Sequence, residues 1–258
     1  MDLIENLTLW PLAGLAAVAG ALALGVALVF LAAIHRACRG AAAATPVAAF
    51  VTPVSAVFAL TFGFVAADVW NTETRARAAA TAEALALVRM HHAAAPEALD
   101  LPRLQAALAG YAAVAAQAEW TGGGNAAPHP AVEEALQAIR VALIAAQRSG
   151  LPQAMLAKLV SDFDDVQHAR AMRLAIGADD LDALKWALLL FLAVMTQATI
   201  AAIHIDRPVA GRLSLCLFTL AATAAIWFLA LHAEPYVGHA PVQPATAMLR
   251  LAAAVPGG

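Results

Sequence analysis

Three aspartates within four residues, Asp162, Asp164 and Asp165, are the densest set of potential metal ligands in the chain. Carboxylates hold a divalent cation only when they converge, and helical neighbours one or two apart point in different directions. A solvated face is therefore the leading reading of this cluster, as for most surface charge. His91-His92 fails in the same way, because adjacent residues of a regular helix cannot aim at one ion. Asp164 and His168 stand four apart, but two donors make a poor site and a surface contact is the simpler reading. No nucleophile elbow, HExxH pair, phosphate loop or dinucleotide fingerprint occurs. The sequence thus predicts no enzyme, no metal site and no cofactor.

A second set of residues lies in apolar surroundings. Asp68 is the one acid near a long apolar stretch, about a turn from Trp70, where its carboxylate can reach lipid headgroups. Thr196, Gln197 and Thr199 form a polar patch inside another stretch, where such groups mostly glue helices together and only sometimes line pores. Val54, Phe58 and Phe62 repeat at intervals of four on one helical face. In an oligomer a ring of such phenylalanines could form a constriction that gates by dewetting; packing against neighbours or lipid is the plainer use.

What must position these residues is a membrane. Of the 258 residues 62% are hydrophobic and only 13% charged, against roughly 25% charged in soluble domains. The charge is concentrated in the middle of the chain. Four uncharged runs remain, predicted as spans over about 9–34, 46–69, 186–205 and 213–233, each near the ~20 residues that cross a bilayer. Pro53 within the second is expected to favour a kink. The acidic start, Asp2 and Glu5, is unlike a signal peptide. Short turns join the spans into two hairpins, His35 to Thr45 and His204 to Arg212. Trp10, Trp70, Trp186 and Tyr236 mark span ends on one side, at the depth aromatic residues prefer. Cys38 and Cys216 lie in or beside apolar runs and read as small fillers. A net charge of −3 with no basic face excludes nucleic acid as a partner.

Between the hairpins, residues 71–182 read as helices separated by breakers. The chain thus divides into a first hairpin (1–70), an extramembrane helical region (71–182) and a second hairpin with a short tail (183–258). The second span is expected to run on, without a Gly or Pro, as far as Ala95. Apolar stripes follow at Leu104, Leu108, Tyr111 and Ala115, then at Val132, Leu136, Ile139 and Leu143, then at Leu156, Leu159, Phe163 and Val166. Each has helical spacing, so the fold class is all-α, with a helical bundle on the membrane. Orientation is ambiguous. Arg36, Arg39, Arg207 and Arg212 in the turns, opposite an acidic N-terminus, favour cytoplasmic turns. Arg75, Arg77, Arg170, Arg173 and Lys185 on the other side favour the reverse.

Several stretches resemble the bestrophin-like family of bacterial four-helix membrane proteins. They are Phe62-Gly63-Phe64-Val65-Ala66 with Trp70, Glu83-Ala84-Leu85-Ala86-Leu87, Tyr111, Glu119-Trp120, Arg170, Arg173-Leu174, and Trp186. The tail, Glu234-Pro235-Tyr236-Val237-Gly238 before Pro241-Val242-Gln243-Pro244, is the most specific, with Tyr236 where the family favours Phe. That family has no established activity. Its relation to bestrophins, pentameric anion channels with a Phe-rich neck on the second helix, implies Phe58 and Phe62 as pore candidates. It also implies termini and central region in the cytosol; the acidic calcium clasp of animal bestrophins has no match here. Two functions follow as expectations. One is an oligomeric, channel-like protein for small ions in the cell (inner) membrane. The other is a non-conducting scaffold or sensor whose helical region holds an unidentified protein partner.

Overall fold

The computed structural model describes residues 3–37, 48–121, 124–179, 183–237 and 241–253, with side chains from residue 11 onward. The expected start of the second span at Pro46, Cys38, Arg39 and Gly238 lie outside them, as does the side chain of Trp10. Among the described residues all regular structure is helical. The helices are α1 (Leu3–Ala37), α2 (Val51–Ala93), α3 (Pro102–Ala118), α4 (Pro130–Arg148), α5 (Gln153–Gly177), α6 (Ala183–Ile203), α7 (Pro208–Leu231) and α8 (Thr246–Ala253). They divide into two units, Met1–Asn71 with Leu181–Ala233 and Thr72–Asp180 with Glu234–Gly258.

Among the described residues four helices, α1, α2, α6 and α7, are long and apolar enough to cross a membrane, with mean hydropathy between 1.6 and 2.6; the first unit holds α1, α6, α7 and α2 as far as Asn71. Leu15, Val18, Leu22, Val26 and Val29 follow one another at three and four residues along α1 and are 58 to 69% exposed. A stripe this apolar and this open suits lipid as solvent and would be untenable in water. Inside the unit, Ala27 and Leu31 of α1 pack on Ala201 of α6 and Leu215 of α7. Pro53 falls in the first turn of α2, because a single 3-10 turn at Ala48–Phe50 precedes Val51. The expectation of a proline inside the span is corrected accordingly: in a first turn the missing N–H would have had little to bond.

Close approach of α1 and α7 depends on Gly20, where an added Cβ would lie 2.5 Å from Thr223 Oγ1. Gly25 opens onto free space. Gly20→Leu is therefore expected to destabilise the unit by about 1–3 kcal/mol through overpacking. Gly25→Leu is expected to leave the thermal midpoint in detergent unchanged.

In the second unit each inner stripe is built from the spacing noted above. Leu104, Leu108, Tyr111 and Ala115 of α3 and Val132, Leu136, Ile139 and Leu143 of α4 are buried in one core with Leu87 and Met90 of α2. Leu159, Phe163 and Val166 of α5 join it, and Leu156 is only half-buried. The tail is more than a short appendage. Val242 is buried beside Ala76, Ala80 and Ile176, and α8 inserts Met248 and Leu251 into the main core. Tyr236, expected at a span end, meets Trp120 in a T-shaped contact with ring centres 5.7 Å apart.

Candidate functional site

The charged residues of the second unit are not all solvated. The stripe Ala76, Ala80, Leu87, Met90 of α2 is buried, and Glu83 occupies the missing position of the same helical face. On α5 the stripe Leu159, Phe163, Val166 continues to Arg170 and Arg173, also buried. These helices aim two guanidinium groups and two carboxylates at one another. Arg173 donates from Nε to Glu83 Oε2 at 2.7 Å and from Nη2 to Glu119 Oε2 at 2.9 Å. Its Nη1 donates to Asn125 Oδ1. Arg170 donates from Nη2 to Glu119 Oε1 at 2.5 Å and from Nη1 to Glu133 Oε1 at 2.7 Å. Tyr111 Oη donates to Glu83 Oε1 at 2.6 Å, and the His129 N–H to Glu119 Oε1 at 3.1 Å. The indole of Trp120 lies under the Arg173 guanidinium, 4.8 Å from its ring centre.

Charges taken from water cost several kcal/mol each unless fully paired and hydrogen-bonded. Here both buried carboxylates and both arginines are paired and bonded. Burial alone would depress the Arg173 pKa, and Glu83, Tyr111 and Glu119 outweigh it, so the pKa is raised. Burial and then Glu83 push the Tyr111 hydroxyl well above its usual range. Burial would raise Glu119, yet hydrogen bonds from Arg170, Arg173 and the His129 N–H hold its pKa below the usual glutamate value. Burial pushes Tyr236 up to about 12. The network ties α2, α3, α5 and the loop at Asn125 into one arrangement. Gly177 serves the same end, since a Cβ there would meet the Asn125 carbonyl oxygen at 2.2 Å.

A pH dependence follows from Glu119. Its pKa is lower folded than unfolded, so its contribution is full above the unfolded value and lost as pH falls through the folded one. The thermal midpoint should be flat from pH 7 to about 5 and drop below about pH 4, the range of unperturbed glutamate.

The expected site residues are distributed as follows. Asp162 is a correction: it is buried, bonded by Arg89 Nε at 2.9 Å and Lys158 Nζ at 2.5 Å, because the core stripe of α5 passes through its position. Asp164 and Asp165 are exposed, and Asp164 contacts Gln167. Among the described residues no three His, Cys, Asp or Glu come together as a metal site. Asp68 pairs with Lys185 at 2.8 Å, both about half exposed. Gln197 donates from α6 to Thr219 Oγ1 of α7 at 2.7 Å, while Thr196 and Thr199 bond carbonyls of their own helix.

Val54, Phe58 and Phe62 are half-buried. Phe58 meets Phe218 of α7 edge-on at 5.7 Å, and Phe62 packs on Val65, Ala66, Val69 and Leu229. Val54 borders a cleft of about 530 Å³ against Phe191 and Met195 of α6. The open face of α2 carries different residues: Val57, Leu60 and Phe64 are 49, 62 and 73% exposed.

A family profile for the Bestrophin-like domain matches residues 17–247. The chain belongs to the Bestrophin-like family. Solved structures agree on this bestrophin-like fold. One variant of a membrane protein aligns with TM-score 0.73 and 10% identity, covering 92% of this chain and 96% of that one. Two variants of a bacterial bestrophin homologue from Klebsiella pneumoniae align with TM-scores 0.69 and 0.68, each at 12% identity. They cover 92 and 97% of this chain and 96 and 95% of theirs. No curated protein sequence matches. The chain is thus an all-helical membrane protein of bestrophin-like fold, and some of the residues by which it resembles the family, Glu83, Tyr111, Glu119, Trp120, Arg170 and Arg173, meet in the buried network.

Proposed function

We propose that the chain is one subunit of an oligomeric, channel-like membrane protein that passes small ions along a path lined by α2. One observation carries this reading. The apolar face of α2, with Val57, Leu60 and Phe64 in succession, stays exposed among the described residues, while α2 continues unbroken for 43 residues. Four spans in one copy cannot enclose much of a pore, so the path requires several copies around an axis. A ring of Phe64, with Leu60 one turn away, would form an apolar constriction that excludes ions when dry. Val54, Phe58 and Phe62 are the alternative lining; in a single chain Phe58 already meets Phe218 of α7, Phe62 packs on its own helix and Leu229, and Val54 borders the cleft against α6. Family membership supports a channel-like role, and Asp68, Thr196, Gln197 and Thr199 serve as contacts within the membrane.

The test is ion flux from liposomes holding purified protein whose oligomeric mass is known. Flux above protein-free liposomes is expected; a verified oligomer that releases no ions would overturn the proposal. A non-conducting scaffold is the second reading, favoured by a groove between α2 and α5, lined by Leu85 and Met172, that a protein partner could fill.

The division into two hairpins and a central helical region lying on one side of the cell membrane belongs to the same proposal. Reporters inserted beside residues 120 and 208 should report opposite compartments. Agreement between them would defeat the topology.

A further inference from the structure

In the membrane-spanning unit a groove of about 390 Å³ lies between α1 and α7. From α7 it is lined by Thr219, Thr223 and Trp227, which follow one another at intervals of four. Thr219 Oγ1 accepts from Gln197 Nε2 at 2.7 Å. Thr223 Oγ1 stands against Gly20 and makes no hydrogen bond among the described residues. The Trp227 Nε1 atom is buried and has no hydrogen-bond partner. A buried indole N–H usually finds an acceptor. In hydrocarbon, where no water can take its place, a donor left unpaired is costly.

The other wall has the opposite character. From Ala13 through Ala17, Gly20 and Ala21, α1 contributes small side chains and no hydrogen-bonding group, and Leu24 stands at the inner end. No charged residue lines the groove, so its polar partner is neutral. Leu220 on the rim is 71% exposed, and the groove opens sideways to lipid. Trp227 lies four residues from the end of α7, at the depth where aromatic side chains meet the headgroup boundary. From there the groove runs inward for about 16 Å along α1. Unpaired donors near the boundary and a smooth apolar wall further in follow the order of ester and alkyl chain in a membrane lipid.

We propose that this groove holds one glycerophospholipid by its ester carbonyls. Trp227 Nε1 and Thr223 Oγ1 donate to the two carbonyl oxygens, and one acyl chain lies along the small residues of α1. The indole borders the groove, so a small turn of its ring presents the N–H to a carbonyl seated there. Recognition is of the ester and not of the headgroup, because the lining carries no charge to read one. The site uses α1 and α7, away from the ion path along α2, and stands whether or not the protein conducts.

The test offers full-length protein in detergent an equimolar mixture of ester-linked phosphatidylcholine and its ether-linked analogue of equal chain length. Native mass spectrometry then weighs the complexes. The wild-type protein should retain the ester lipid about tenfold over the ether lipid, the preference that two hydrogen bonds supply. Trp227→Phe keeps a ring in place and should remove most of that preference; Thr223→Val should remove part of it. Ala21→Phe, at an exposed position, should fill the groove and expel both lipids with the thermal midpoint unchanged. Equal retention of the two lipids by the wild-type protein, a comparison that needs no variant, would overturn the proposal. So would a full preference that survives in Trp227→Phe. A molecule other than a phospholipid that accompanies the purified protein in stoichiometric amount, and is lost in Ala21→Phe, would assign the groove to that molecule and refute the lipid.

Discussion

Replacing Arg173 with alanine is expected to destabilise the helical unit by about 3–5 kcal/mol, the usual cost of removing one partner from a buried ion pair. The unfolding midpoint should fall by roughly 10–20 °C for a unit of this size. The guanidinium is fully buried, and its loss leaves Glu83 with Tyr111 alone and Glu119 with Arg170. It also removes the cation stacked on Trp120. The double variant Glu83→Gln with Arg173→Met should recover part of the loss, because it deletes both charges instead of stranding one. Circular dichroism of detergent-solubilised protein measures both. A wild-type midpoint for Arg173→Ala would mean that the network contributes nothing to the fold.

How far the sequence predicts this network depends on which residues are followed. The apolar stripes are read directly from spacing: Leu104 to Ala115 and Val132 to Leu143 are buried as helical periodicity requires. The charged members hide because charge is assigned to solvent by default. Yet Glu83 sits at the same register as Ala80 and Leu87, and Arg173 at the next position after Val166 and Arg170, so a charged residue standing in an apolar stripe is the signal that finds them. Asp162 is the same case, one residue before Phe163 in the stripe and held by Arg89 and Lys158. Tyr111 reads as an apolar stripe residue, and its ring is buried, but its hydroxyl belongs to the network. Nothing local in the proline-rich tail predicts that α8 enters the core, since burial of Met248 and Leu251 depends on which helices surround them. The spans are the most legible feature, because length and the absence of charge suffice, whereas which side of α2 stays open is set by where α7 packs.

The second large effect concerns that open side. Phe64→Ala is expected to raise ion flux on the order of tenfold, equivalent to about 1.4 kcal/mol off the barrier at a dry constriction. Phe62→Ala should act differently. Its ring packs on Val65, Ala66, Val69 and Leu229, so its loss should cost about 1–3 kcal/mol of stability, less than a fully buried phenylalanine, and leave flux per folded oligomer unchanged. Measuring flux and thermal midpoint on the same preparations separates the two. The reverse pattern would return the lining to Val54, Phe58 and Phe62.

The most direct test of a path along the outer face of α2 is thiol modification during current recording. Phe64→Cys, in protein otherwise free of cysteine, is reconstituted as an oligomer of known mass in planar bilayers and treated with a water-soluble thiol reagent. The account predicts that the protein conducts and that the reagent blocks the current at Phe64→Cys and not at Phe62→Cys. A verified oligomer that carries no current, or one whose current survives complete labelling at Phe64→Cys, would contradict it.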